Sequence, residues 1–136
     1  DDLGRLGEEG VFRVLLIHHP PQRGATSWNK RLTDASRVRA AVKRSGCELV
    51  LHGHTHLATR SEIEGPNGPV PVIGVPSASN APGHKRPAAR YNLFSISGSP
   101  GAWHCRMEER GLHADAHRHD PAEIVSLASH ELKIPG

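Results

Sequence analysis

Two short aliphatic runs, each cut off by histidines, constrain this chain more than any other feature. The first, Val11–Ile17, is followed at once by His18-His19-Pro20-Pro21; the second, Glu48–Leu51, runs into His52-Gly53-His54-Thr55-His56. Neither run alternates apolar with polar residues, which suits strands covered on both faces, as at the centre of a layered α/β sheet. Prolines cannot continue a central strand, so the first must stop before Pro20. Between the runs, Thr33 or Asp34 can cap a helix extending to Ser45. Val38, Ala41 and Val42 fall on one face of it, Arg37, Arg39, Lys43 and Arg44 mostly on the other, and Gly46 stops it. Strand, helix, strand predicts a parallel pair joined by a right-handed crossover.

The remainder reads differently. Residues 3–9 look like the tail of a helix ended by Gly10. Residues 22–33 form a polar loop containing Trp28. Residues 58–65 alternate like a half-exposed strand, Pro66-Asn67-Gly68-Pro69 is a turn, and Val70–Val75 is another strand. After a loop rich in Pro, Gly and basic residues at 80–90, Tyr91–Ser97 and the run from Trp103 to Glu109 flank a turn at Gly98–Gly101. This half predicts an antiparallel meander. Residues 1–110 thus form one unit and 111–136 an extension, in which Asp120 and Pro121 would open a short helix over 121–132.

Composition removes several function classes. At 136 residues the chain suffices for one domain with a real core, although only 36% is hydrophobic and 4% aromatic. The apolar runs are too short to span a membrane, no signal peptide is seen, and a cytoplasmic protein is expected. A net charge of +3 without a Lys/Arg cluster argues little for nucleic acid; such a surplus could attract phosphate-bearing substrates, but more often only keeps a protein in solution. Cys47 and Cys105 match neither a zinc spacing nor a disulfide framework; Cys47 is expected as a small buried hydrophobe.

The histidine count, 11, is high for this length, so their placement matters. In open α/β sheets, ligands bind at the carboxyl ends of the strands. His18 and the pair His54 and His56 would emerge together at that edge. In extended backbone two residues apart project the same way, and Gly53 would let the chain turn sharply. Three neutral imidazoles meeting there make a good divalent-metal site.

With VLLIHHPP (14–21), LVLHGHTH (49–56), GVPSAS (74–79) and RYNLFSI (90–96), the sequence resembles the calcineurin-like metallophosphoesterase superfamily over roughly residues 5–110. The resemblance implies the C-terminal half of a four-layer α/β/β/α sandwich: parallel strands with one crossover helix, then antiparallel strands. It implies that His18 and His54 are the histidine ligands of one metal and His56 that of another. It implies two divalent ions of the Mn, Fe or Zn type. A metal-activated hydroxide would then attack phosphorus in line while both ions clamp the phosphate oxygens.

The departures matter as much. The family's Asp-x-His, Gly-Asp-x-x-Asp/Glu and Gly-Asn-His-Asp/Glu motifs do not occur here. The bridging carboxylate, an asparagine ligand and a further histidine are therefore missing. The resemblance then implies a chain that lacks the N-terminal half of the domain and is inactive alone. It would also leave an apolar sheet edge open to the missing half or to self-association.

Other residues carry competing readings. His19 would orient the turn or line the substrate site. His52, inside the strand, reads as structural, with the orienting of a ligand-holding carboxylate as the alternative. Ser77 and Ser79 read as loop hydrogen-bonding residues, since no nucleophile elbow surrounds them. His84, Lys85 and Arg86 are candidates for contact with a substrate phosphate, against a solvated basic loop. His113, His117 and His119 read as a solvated tail, and Trp28 and Trp103 as packing residues. The function expected is hydrolysis of a phosphate mono- or diester, the substrate small or nucleotide-derived. The alternatives are a nuclease of the same superfamily and a non-catalytic module that binds one metal or a partner chain.

Overall fold

The computed structural model describes residues 2–22, 34–81, 87–112 and 123–136. Outside the described residues lie Trp28, His84, Lys85, Arg86, His113, His117, His119, Asp120, Pro121 and most of the polar loop at 22–33.

Helix α1 (Asp2–Glu8) leads through Gly10, at φ 65°, into strand β1 (Val14–Ile17). Helix α2 (Ala35–Ser45) follows, and Gly46 ends it at φ 72° with its N–H donated to the Val42 carbonyl. Strand β2 (Leu49–His52) then lies parallel to β1, with Ile17 opposite His52. The expected parallel pair with a crossover helix is present. Strands β3 (Thr59–Gly65) and β4 (Gly68–Gly74) form a hairpin. Strands β5 (Arg90–Ser97), β6 (His104–Leu112) and β7 (Ile124–Leu132) make a separate antiparallel sheet. The chain is therefore mixed α/β, one sheet with parallel pairs and a crossover helix, the other antiparallel.

Three of the local expectations are corrected. The β3–β4 hairpin does not join the later strands: β4 pairs parallel with β2, giving the order β1-β2-β4-β3. Its aliphatic run, with Val70, Val72 and Ile73 all buried, suits a strand flanked on both sides rather than a half-exposed meander. β1 is an edge strand among the described residues, not a central one, and its burial alternates. Leu15 and Ile17 pack toward the helices, whereas Val14 and Leu16 remain 40% and 72% exposed. Finally, residues 124–132 are a strand, not a helix. Ile124 through Ser126 and Ala128 through Leu132 register against β6, and Leu127 is the extra residue of a bulge opposite Glu109 and Arg110. That bulge breaks the period of two, which hid the strand in the sequence.

Two apolar seams hold three layers together. On one face of the first sheet, Val42 of α2 packs with Cys47, Val50, Ile63, Val70 and Val72. On the other, Leu49 and Ile73 meet Met107 of β6, with Phe94 and Leu132 beside them. Phe12 and Trp103 stack edge to face at 5.6 Å, so Trp103 does pack. A helix layer over the outer face of β5–β7, the fourth layer of the expected sandwich, is not found among the described residues.

One buried ion pair fastens the base of the parallel strands. The backbone N–H and the Nε and Nη2 groups of Arg13 all donate to the Glu48 carboxylate, while Nη1 donates to the carbonyls of Leu3 and Ser45. The hydrogen bonds to Glu48 push the already high pKa of Arg13 further up. A single guanidinium so ties α1, α2, β1 and the entry to β2 together.

Candidate metal centre

Because Ile17 and His52 are register partners on parallel strands, the chain leaves both at the same edge. The ladder continues one step beyond them, where Gly53 N–H donates to the His18 carbonyl at 3.2 Å. That bond fixes where the histidine segments stand relative to one another.

The first segment bends directly after Ile17. Pro20 limits the backbone of His19, and Pro20 and Pro21 are buried. Adjacent residues in a straight strand would point to opposite faces; in the bend, the His18 and His19 rings come to 4.7 Å at 87°. The second segment coils rather than extends. Thr55 N–H closes a tight turn on the Gly53 carbonyl at 2.8 Å. His54 and His56 stand at φ 64° and φ 58°, where side-chain-bearing residues are uncommon. Gly53 does not take a positive φ, and a side chain there would meet nothing within 4 Å. The turn expected at Gly53 is therefore made by the histidines, and the rule that alternate residues share a face does not apply to them.

Three imidazoles meet at this edge: His18, His19 and His54 each present a ring nitrogen, all within 4.8 Å of one another. His18 Nε2 lies 3.3 Å from His54 Nδ1, and the His19 and His54 rings are 4.1 Å apart. His56 is not part of this group. His19, expected to line the site, stands inside it instead. The Pro20-Pro21 pair was the signal available in the sequence, since it ends the strand and limits the backbone of His19.

The His18–His54 pair has the spacing of two ligands on a single metal ion, with the His19 nitrogen within 4.8 Å of both. Nitrogens bound at about 2.0–2.1 Å around a tetrahedral ion are about 3.4 Å apart, close to the His18–His54 separation of 3.3 Å. A pair of ions would need a carboxylate between them, and this group has none. Glu48 precedes β2, roughly 13 Å away along the strand, and is locked to Arg13. Among the described residues, this group could hold one ion, and it carries no carboxylate to bridge a second.

His52 supports the edge from beneath. It is 4% exposed. Its Nδ1–H donates to the Gly53 carbonyl at 3.0 Å, leaving Nε2 to accept from the Thr59 hydroxyl at 3.4 Å. Burial pushes its pKa down, so the ring is a neutral strut whose partners are a carbonyl and a hydroxyl. In the neighbouring loop the Ser77 and Ser79 hydroxyls bond each other at 3.0 Å.

No protein-family profile matches the chain, and no curated protein sequence does. Among solved structures, it is similar to a double mutant of Vps29 from Entamoeba histolytica, with 18% identity and a TM-score of 0.42 over 78% of this chain and 52% of that one. The chain thus spans about half the length of that structure. No helix among the described residues is long and apolar enough to cross a membrane.

Proposed function

We propose that this chain is the histidine-bearing part of a metal-dependent phosphohydrolase, acting on a phosphate mono- or diester that is small or nucleotide-derived. The observation that supports this is the meeting of His18 and His54, 3.3 Å apart, at the carboxyl edge of two parallel strands. A divalent ion of the Mn, Fe or Zn type held there would act as a Lewis acid toward a phosphoryl oxygen. His18 and His54 would be ligands of one ion, and His56 of a second whose carboxylates come from a segment outside this sequence. His84, Lys85 and Arg86 would contact the substrate phosphate.

The test has two arms. With Mn²⁺ and bis(p-nitrophenyl) phosphate, the 136-residue chain alone should show no turnover above background; robust hydrolysis would overturn its dependence on missing carboxylates. A longer protein that adds Asp-x-His and Gly-Asn-His-Asp/Glu segments upstream should hydrolyse the ester and lose most of the rate on His54→Ala. An unchanged rate would remove the ligand role of His54. A second reading, a non-catalytic module that binds one metal, is favoured by a donor group without a carboxylate. Inactivity of that longer protein would select it.

A further inference from the structure

Of the adjacent pair His18-His19, only His18 is a ligand in the proposed two-ion site. A ligand role for His18 and His54 alone leaves His19 outside the coordination, yet its ring nitrogen lies within 4.8 Å of both others. It is also half-buried, more sheltered than His18. Three features of the chain bring it there: the bend after Ile17, the prolines that follow, and the left-handed turn at His54. Each belongs to the folded backbone rather than to a flexible side chain.

We infer that His18, His19 and His54 form a mononuclear, all-imidazole site, which this chain fills by itself with one borderline ion such as Zn²⁺ or Ni²⁺. The inference rests on reading this edge as a metal site, but not on phosphoester hydrolysis. Imidazole nitrogen suits Zn²⁺, Ni²⁺ and Cu²⁺, whereas Mg²⁺ and Ca²⁺ seek oxygen. With no carboxylate in the group, hard ions gain little here. Three nitrogens also leave a coordination position open to water or a small anion. His56, outside the group, is not a ligand of this ion.

Calorimetric titration of the 136-residue chain with ZnCl₂ tests it. One equivalent should bind, and excess Mg²⁺ should not compete. His18→Ala, His19→Ala and His54→Ala should each weaken binding about tenfold or more, and His56→Ala less than about twofold. Thermal melts without zinc check that each variant folds, and His19→Gln serves if His19→Ala does not. On the unmutated chain, zinc should shift the ring-nitrogen resonances of His18, His19 and His54 and leave those of His56 in place. The inference is overturned by a stoichiometry other than one. It is overturned equally by His19 variants that bind like the parent, or by shifts at His56 in place of His19. Because none of these readouts is catalytic, an inactive longer protein defeats the phosphohydrolase proposal and leaves this one standing.

Discussion

His52 and Gly74 are register partners on parallel strands, and the imidazole of one fills the space where a side chain on the other would begin. A Cβ at Gly74 would stand 2.6 Å from His52 Cε1 and 2.9 Å from Nε2, and would also press on the Thr59 hydroxyl. The strut beneath the histidine edge therefore depends on a glycine 22 positions along the chain.

Gly74→Ala should accordingly destabilise the fold by about 1–3 kcal/mol, the usual cost of overpacking. Urea denaturation measures it. In the double variant with His52→Ala the penalty should shrink without vanishing, because the ring is gone while the Thr59 hydroxyl, the nearest atom, remains; strict additivity would show that positions 52 and 74 do not compete for space.

Removal of one partner of the Arg13–Glu48 pair should cost more. The two side chains are only 13% and 9% exposed, and the guanidinium serves four segments at once. Glu48→Ala leaves a buried cation without its carboxylate, for which about 3–5 kcal/mol is expected. A loss under about 1 kcal/mol in equilibrium unfolding would mean that water reaches the pair.

Left-handed backbone at His54 and His56 gives a comparison free of the rings themselves. At each site alanine and glycine remove the imidazole equally, but only glycine adopts φ near 60° without strain. Glycine should be the more stable replacement by about 1 kcal/mol at either position. Equal melting temperatures would mean that the turn relaxes when the ring is lost.

Cys47 supplies the alkaline limb of stability. Burial pushes its thiol up from near 9 to about 11. Below pH 9 the thiol is protonated folded or unfolded, and its contribution is complete. Between pH 9 and 11 the unfolded chain releases the proton first, so stability falls, by on the order of 2 kcal/mol. Cys47→Ala should flatten that slope in denaturation curves recorded across the range. Cys47 and Cys105 are each 1% exposed, so a thiol reagent at pH 8 should modify both only at the rate of unfolding.

Much of the first sheet was legible because its signals are local. The aliphatic runs Val14–Ile17 and Leu49–Leu51, the stop at Gly46 and the prolines after His19 each act within a few residues. What stayed hidden depends on partners distant in sequence. Nothing near Val70 says that its strand will lie beside β2 rather than β5. Leu127 looks helical only until β6 is there to accommodate the bulge. At the edge, the sequence named His18, His54 and His56 for convergence; His18 and His54 do meet, but His19 stands where His56 was expected, because extended backbone was assigned to a segment that coils. The bend that gathers His18 and His19 and the turn at His54 are properties of two segments meeting, and neither segment encodes that meeting alone.

The polar chain between the two sheets has a mechanical consequence. Arg60 of β3 donates to His130 Nδ1 at 2.8 Å, so His130 must carry its proton on Nε2, which it passes as a hydrogen bond to Glu109 at 3.2 Å; Arg90 grips the same carboxylate. The apolar contacts between the sheets, such as Leu49 and Ile73 on Met107, are non-directional and define orientation less sharply. A guanidinium, a ring and a carboxylate in line are directional. They act as a dowel between the two sheets, setting how far one can creep along the other.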